Sequence, residues 1–562
     1  MELDRIVRVD MTTGTISETP APESLRLLGG RALGASLLLQ ETDPAIHPLH
    51  RDAVLYICPG LLGGTAATTS GRTSFVFKSP LTGGIKEANV GGQLGHRLAR
   101  LGIKAIAVTG ASPSGWQQLE ITASGIRLLP ADHLAGRSNY DLHRELVGEA
   151  AATRAAATIG PAGELRLAAA SVAVTDPEGR PTRHAARGGP GAVMGAKGLK
   201  AIVVDDAGAP RSIPGLRRDE YRQHVTRFSR LVLEDPRTHN LSKTGTAGVV
   251  RFVNRDNIQS MPTRNHRLGT WEHAHSISGQ YIEELGQSRG GKMLPCMAGC
   301  IIKCAILFND EHGNHVTTAL EFETIALLGS NLEIGPADAV AELDRLCDDI
   351  GLDTIEVGNA IGVAMEAGVL PWGDWQRTRD LLEEIRQGTV LGRIIGNGTV
   401  HTARTFGIDR VPAVKGQGLP AWEPRTLKGM GVTYATSPQG ADHTAGMVTA
   451  RSVNAETLVK QSRHEQLVMM AIDSAGLCQF TNALPADIAA FISARFDTPC
   501  DDETVLRAAR AAIESEREFN RRAGFTAADD RLPRWLLEEP LHTPDGPAIF
   551  DLPQQLLDSV WS

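Results

Sequence analysis

The stretch that decides how this chain is organised is Cys296-Met297-Ala298-Gly299-Cys300-Ile301-Ile302-Lys303-Cys304, where three of the seven cysteines recur at every fourth residue. On a helix or a wound loop this spacing puts the three sulfurs on one stripe, where they can converge on one metal centre. A zinc site would favour paired C-x2-C spacings, so the pattern favours an iron–sulfur cluster. The candidates for a fourth ligand are Cys478, Cys347, Cys500 and Cys58.

Two other interpretations of the three cysteines are weaker. A radical-generating enzyme that holds a cubane and S-adenosylmethionine usually has a spacing like C-x3-C-x2-C, which would need a cysteine where Lys303 stands. Three buried free cysteines on one helix face would be a simpler explanation, but scarce residues rarely cluster through packing alone.

A second motif occurs twice. Asp348-Asp349-Ile350-Gly351-Leu352-Asp353 and Asp473-Ser474-Ala475-Gly476-Leu477-Cys478 share the pattern Asp-x-x-Gly-Leu, and each follows a segment with helical periodicity. One copy alone would be an ordinary helix end closed by glycine. The repetition, with a cysteine ending one copy, predicts two similar loops for two similar ligands.

Length and composition limit the class of protein. The 562 residues suggest three or four domains, and 42% apolar with 22% charged residues exclude a disordered chain. With 57 basic and 65 acidic residues, the net charge of −8 offers no basic stripe for nucleic acid or an anionic membrane. An odd cysteine count argues against a secreted disulfide framework. We therefore expect a cytoplasmic protein with no nucleic-acid or membrane partner.

The periodicity changes along the chain. Short β-like runs separated by glycine-rich loops dominate the first part, and helical spacing dominates from about residue 210. The predicted strands are 53–57, 74–77, 105–108 and 201–204, and the predicted helices are 339–347, 354–367, 458–471 and 502–522.

The expected fold class is α+β, with a β-rich N-terminal domain followed by two mainly helical domains. We place the β-rich domain at 1–209. The first helical domain, with the three-cysteine motif and the first loop, is placed at 210–412, and the second, with the second loop and Cys478, at 413–562.

Taken together and in order, the motifs resemble the aldehyde ferredoxin oxidoreductase family from end to end. Further stretches carry the resemblance: residues 8–14, 28–31, 78–84, 187–197 and 434–443. The commoner cluster spacing in that family is C-x2-C-x3-C, so this chain has one extra residue between Cys296 and Cys300.

The resemblance implies that the β-rich domain forms a base under the two helical domains. It also implies a tungsten or molybdenum ion held by two pterins, beside one [4Fe-4S] cluster. It implies that the cluster ligands are Cys296, Cys300, Cys304 and Cys478. One pterin would be lined by Asp348, Gly351, Leu352 and Asp353, and the other by Asp473, Gly476 and Leu477. A carboxylate can accept two hydrogen bonds from the amino-pyrimidine edge of a pterin, and glycine lets backbone approach the ring.

Other site residues are implied by the same resemblance. Contacts to pterin, phosphate and magnesium fall on Arg72, Asn89, Arg187 and Gly188, with Arg72 between cofactor and cluster. The active-site acid and base fall on Glu323 and His443. Glu323 is chosen over the nearby Glu321 because its distance from the first Asp-x-x-Gly-Leu loop suits the family pattern.

The implied reaction oxidises an aldehyde and water to a carboxylic acid, and a ferredoxin-like acceptor or small iron–sulfur subunit takes the electrons. A homodimer is plausible by the same resemblance. One alternative is a family-fold reductase of an activated aromatic acid such as benzoyl-CoA; another is a non-catalytic iron–sulfur electron-transfer subunit. A structural zinc protein is least favoured, because Cys478 has no pairing partner nearby in sequence.

Overall fold

The computed structural model describes residues 5–451 and 453–561. Its strands are β1 (Arg5–Asp10), β2 (Thr15–Pro20), β3 (Leu55–Pro59), β4 (Thr73–Lys78), β5 (Ile85–Val90), β6 (Ile103–Thr109), β7 (Gln117–Thr122), β8 (Gly125–Pro130), β9 (Arg154–Thr158), β10 (Val172–Val174), β11 (Arg183–Ala185), β12 (Leu199–Asp205), β13 (Lys292–Leu294), β14 (Ala305–Asn309), β15 (His315–Ala319), β16 (Ala413–Val414), β17 (Gln417–Gly418), β18 (Leu541–Thr543) and β19 (Gly546–Ala548).

The helices follow the same numbering along the chain. They are α1 (Gly30–Glu41), α2 (Leu94–Arg100), α3 (Asn139–Leu146), α4 (Pro161–Glu164), α5 (Pro190–Ala196), α6 (Arg218–Glu234), α7 (Pro236–Thr244), α8 (Val250–Val253), α9 (Gly279–Arg289), α10 (Phe322–Leu328), α11 (Ala337–Ile350), α12 (Thr354–Glu366), α13 (Trp375–Gln387), α14 (Val390–Gly396), α15 (Thr399–Phe406), α16 (Lys428–Thr436), α17 (Ala455–Ala475), α18 (Pro485–Phe496), α19 (Asp502–Arg522), α20 (Trp535–Glu538) and α21 (Gln554–Asp558).

The N-terminal region contains two six-stranded sheets of the same topology. The first has the order β2-β1-β6-β3-β4-β5 and the second the order β8-β7-β12-β9-β10-β11. Each sheet has one parallel pair at the same place, β1 with β6 and β7 with β12, and the other pairs are antiparallel. One apolar cluster contains side chains of both sheets, including Val9, Phe75, Ile121 and Ile202. Residues 5–205 therefore form a tandem structural repeat.

The strands form where short apolar runs predict them. Each of the four predicted strands overlaps an observed one, β3, β4, β6 or β12. The central strand β6 is buried along nearly its whole length, as expected of a continuous apolar run. Its one charged side chain, Lys104, donates from Nζ to the Arg26 carbonyl at 3.0 Å.

Helices dominate the rest of the chain, which confirms the α+β class. The predicted helices correspond to α11, α12, α17 and α19. Two features were not predicted: the three-stranded sheet β13–β15 on either side of the cysteine motif, and helix α16 inside a glycine-rich stretch. Strands of three to five residues are too short for a clear periodic signal.

The proposed domain boundaries at residues 209 and 412 fall between elements, the first after β12 and the second before β16, and they stay predictions. Among the helices of the described residues, none has both the length and the apolar character needed to cross a bilayer.

Candidate active site

A cavity of ≈ 410 Å³ is enclosed by the N-terminal sheets, the helical region and both Asp-x-x-Gly-Leu loops. Many of the residues singled out in the sequence line it: Arg72, Asn89, Arg187, Asp348, Leu352, Asp353, Asp473, Cys296, Cys478, Glu323 and His443. The remaining predicted site residues do not line the cavity: Gly188, Gly351, Gly476, Leu477, Cys300 and Cys304. The structure thus gathers residues from all three parts of the chain around one space.

The four cysteines come together at one end of this cavity, each about 6% exposed. Residues 296–304 form no helix, so the wound loop of the two expected geometries is the observed one. Cys296 donates a hydrogen bond to the Cys300 sulfur, and this bond, burial and the nearby Cys304 and Cys478 raise the pKa of Cys296 well above its usual value. Thiols crowded in this way repel one another once ionised, and bound iron would relieve that repulsion.

The backbone of the first sheet's loops holds the cysteine loop. Gly92 donates to the Cys296 carbonyl at 2.9 Å, and Thr69 donates to the Gly299 carbonyl at 3.1 Å. The Thr69 carbonyl in turn accepts from the amide of Cys478 at 3.0 Å. In residues 5–451 and 453–561, no three His, Cys, Asp or Glu side chains stand at the spacing of a single metal ion.

The two Asp-x-x-Gly-Leu loops end helices α11 and α17 in the same way. Gly351 and Gly476 adopt left-handed backbone, with φ of 80° and 79°. The space around Gly476 is tighter, because an added Cβ would lie 2.7 Å from Gly60 Cα, against 3.1 Å from Gly160 N at Gly351. Only glycine therefore lets these helix ends approach the loops of the two sheets.

The first loop carries a buried ion pair. Asp353 is 1% exposed, and its Oδ2 lies 3.5 Å from Nε of Arg187. Nη2 of Arg187 donates to the Gly418 and Ala441 carbonyls at 2.6 and 3.0 Å. At the start of the loop, Asp348 lies 3.0 Å from Nε2 of His184. Both carboxylates thus have a basic partner on the cavity wall.

The second loop is held by a different ion network. Asp473 lies 3.3 Å from Nη1 of Arg31, whose Nε and Nη2 donate to both carboxylate oxygens of Glu516 at 2.8 and 2.9 Å. Burial and the nearby Glu87 raise the pKa of Asp473. Sequence reasoning missed His184, Arg31 and Glu516 as site residues. The one available signal was Arg31 after the Gly29-Gly30 pair, within a stretch that carries the family resemblance.

Arg72 lies between the second loop and the cysteines. It donates from Nε to Oδ1 of Asn89 in a short hydrogen bond. Its charge acts on both Asp473 and Cys478, and lowers the pKa of each against the larger effect of burial. The role of Arg72 between cofactor and cluster stays a prediction. Gly188 is set back from the cavity, where its carbonyl accepts from the Ser79 hydroxyl at 2.7 Å.

Glu323 and His443 form a pair on the cavity wall, with Oε1 of Glu323 at 3.5 Å from Nε2 of His443. The other carboxylate oxygen accepts from the amide of Ala421 at 2.7 Å. Glu321 lines the same cavity but faces other partners: its Oε2 accepts from Thr246 at 2.7 Å, and its Oε1 lies 3.5 Å from Nη1 of Arg183. Of the two glutamates, Glu323 is therefore the one placed to share a proton with the histidine.

Polar atoms without a hydrogen-bond partner surround the cavity. Buried polar groups are normally satisfied, so such a set indicates a polar ligand. The atoms are Asp353 Oδ2, Arg187 Nε and Nη1, Arg183 Nε, Glu323 Oε1 and His443 Nδ1. They mix donors and acceptors, which suits a pterin with its phosphate, and the residues present therefore fit the cofactor that the resemblance implies.

Comparison with known proteins gives the family. Residues 6–206 match the N-terminal domain of aldehyde ferredoxin oxidoreductase, and residues 223–561 match domains 2 and 3. The tungsten-containing aldehyde ferredoxin oxidoreductases of Pyrococcus furiosus and Thermococcus kodakarensis are each 32% identical, over 97% of this chain and 92% of theirs. The chain belongs to the aldehyde ferredoxin oxidoreductase family, a family of oxidoreductase enzymes.

A solved structure shares the fold. The active-site complex of a benzoyl coenzyme A reductase, bound to 1,5-dienoyl-CoA, superposes with a TM-score of 0.80 and covers 95% of this chain and 91% of its own. At 20% identity this likeness concerns the fold alone.

Proposed function

We propose that this protein oxidises an aldehyde to a carboxylic acid and passes the electrons through a [4Fe-4S] cluster to a ferredoxin-like acceptor. One observation carries the proposal: a single cavity is lined by both Asp-x-x-Gly-Leu loops, by Cys296 and Cys478, and by the Glu323–His443 pair. The relatives in Pyrococcus furiosus and Thermococcus kodakarensis are named as tungsten-containing aldehyde ferredoxin oxidoreductases.

The chain's own residues would hold the cofactors. Asp348 and Asp353 on one side and Asp473 on the other would bind the amino-pyrimidine edges of two pterins, and Arg187 and Arg72 would offset their negative charge. The iron–sulfur cluster would be bound by Cys296, Cys300, Cys304 and Cys478. When bound, the tungsten or molybdenum centre supplies the two-electron oxidation and the oxygen chemistry.

Glu323 and His443 would handle protons. In the overall reaction the aldehyde carbon gains an oxygen from water, and two electrons and two protons leave. Oε1 of Glu323 has no hydrogen-bond partner and can accept a proton from water or substrate. His443 can donate a hydrogen bond to the aldehyde oxygen and polarise the carbonyl group.

The test is anaerobic aldehyde-dependent reduction of a viologen dye by protein loaded with iron and tungsten. Glu323→Gln keeps the size of the side chain but removes the base, so we expect kcat to fall about 10²- to 10⁴-fold with metal content unchanged. The matched control is Glu321→Gln, two residues away and bonded to Thr246, for which we expect less than about a tenfold fall. An inactive loaded enzyme, or equal losses in both variants, would contradict the proposal.

Two finer points of the proposal rest on the resemblance. Magnesium would lie at the pterin phosphates near Asn89 and Gly188, and the chain would form a homodimer. Mass spectrometry of the intact native protein, before and after a magnesium chelator, tests both.

A further inference from the structure

The cysteine loop combines buried cysteines with exposed residues. The four cysteines are about 6% exposed, whereas Gly299 and Lys303 in the same loop are exposed. Nothing lies within 4 Å of the position that a Cβ on Gly299 would take. Lys303 has left-handed backbone, with φ of 54°. The tip of this loop thus brings exposed residues within one to three positions of the predicted cluster ligands.

A second cavity, of ≈ 280 Å³, opens beside that loop between α7, α9, β13 and β14. It begins at Ile306, two residues after Cys304, and its wall also includes Ile282, Met293 and Phe308. Lys292 and Lys243 are exposed residues among those that line it. Glu283 also lines it. An apolar recess at the surface can receive an apolar anchor side chain of a partner protein.

The charge of the surface beside the cysteine motif differs from that of the whole chain. The protein carries a net charge of −8, yet three exposed lysines, Lys243, Lys292 and Lys303, lie beside the cysteine motif. Among the described residues, Lys292 and Lys303 have no ion pair, and the carboxylate nearest Lys243 is that of Glu283 at 3.8 Å. Unpaired surface cations attract a partner of opposite charge and orient its approach.

From these observations we infer that the exposed tip of the cysteine loop and the recess beside it bind a small electron-carrier protein with acidic residues around an apolar centre. This inference rests on the proposed function, since the carrier would take the electrons that the cluster receives. Its carboxylates would pair with Lys292 and Lys303, and an apolar side chain would enter the recess. Docking there would place the carrier against the loop that contains the cysteines.

The test measures binding directly. Isothermal titration calorimetry with a purified, strongly acidic bacterial ferredoxin would compare wild-type holoenzyme with Lys292→Glu and Lys303→Glu at low and high salt. We expect each charge reversal to raise Kd about tenfold at low salt and to weaken its salt dependence. The matched control, Lys460→Glu, makes the same change on the exposed N-terminal half of α17, far along that helix from Cys478, and should leave Kd unchanged.

Iron content is measured for every variant, so that loss of the cluster in Lys303→Glu is not mistaken for loss of docking. Lys292 is separated from Cys296 by three residues, and its variant decides the question if Lys303→Glu loses iron. The inference is overturned if the iron-replete variants bind within about twofold of wild type, or if Lys460→Glu weakens binding as much. Failure of the proposed function would show separately, as wild-type enzyme that does not reduce viologen with aldehyde.

Discussion

The two Asp-x-x-Gly-Leu loops share one scaffold and differ in their last residue. Each ends a helix at a left-handed glycine, and each docks through the amide of its sixth residue, Asp353 on the Ala169 carbonyl at 2.9 Å and Cys478 on the Thr69 carbonyl at 3.0 Å. These acceptors lie in the two repeated sheet units. Since the scaffold is the same, the final side chain gives each loop its role: a carboxylate in the first, a thiol beside the cysteine motif in the second.

The charged side chains around the two loops also differ. In the first loop both arginines face carboxylates, Arg187 at Asp353 and Arg345 at Asp349. In the second loop Arg31 lies near Asp473, but Arg72 acts on both Asp473 and the thiol of Cys478. A cluster with its thiolates concentrates negative charge, and a guanidinium group beside it offsets that charge. The second loop would thus connect two redox groups, while the first serves one.

The largest effect is expected when the second loop is given the final residue of the first loop. Cys478→Asp removes one of four proposed cluster ligands and adds a carboxylate, so we expect loss of most iron and a fall in activity of at least about 10²-fold. Iron analysis and visible absorption of anaerobic protein measure the effect. Cys500→Ser, at a half-buried cysteine outside the site, should keep its iron. Full iron in Cys478→Ala, which puts no ligand in place of the thiol, would exclude this cysteine as a ligand.

A smaller effect tests the ion pair of the first loop. Arg187→Met removes the charge that faces buried Asp353 and the bonds to Gly418 and Ala441, and we expect a loss of about 3 kcal/mol in the free energy of unfolding. Denaturant unfolding of cofactor-free protein measures it. Adding Asp353→Asn should recover part of the loss, because no unpaired carboxylate then remains. A double variant less stable than Arg187→Met would show that the pair is not the cause.

The smallest effect distinguishes the two helix ends. Alanine in left-handed backbone costs about 1–2 kcal/mol, which we expect for Gly351→Ala. Gly476→Ala should cost about 1 kcal/mol more, because its Cβ would press on the backbone of Gly60. Thermal unfolding of the two variants side by side gives the order. Equal decreases in melting temperature, or a larger decrease for Gly351→Ala, would contradict the tighter packing expected around Gly476.

Local patterns explain what the sequence could predict. Apolar runs marked the strands β3, β4, β6 and β12, and helical periodicity with a closing glycine marked α11 and α17. The repeat of the two sheets was invisible because strand pairing is set by contacts far apart in sequence. The same holds for the Arg31–Glu516 ion pair, whose members are 485 residues apart.

The choice between neighbouring residues also needed the fold. Glu321 and Glu323 are the same residue type two positions apart, so their side chains alone do not tell them apart. The turn that begins α10 directs Glu323 towards His443. The cysteine motif predicted a shared metal centre, but the loop that holds it depends on Thr69 and Gly92 from the first sheet.

The central claim is that the two loops bring a pterin-bound metal and an iron–sulfur cluster together in this chain. The most direct measurement is elemental analysis of anaerobically purified protein from cells supplied with tungsten and molybdenum. The account predicts about four iron atoms and about one tungsten or molybdenum atom per chain. Iron without either heavy metal would contradict the role given to the loops, and zinc alone would contradict the cluster as well.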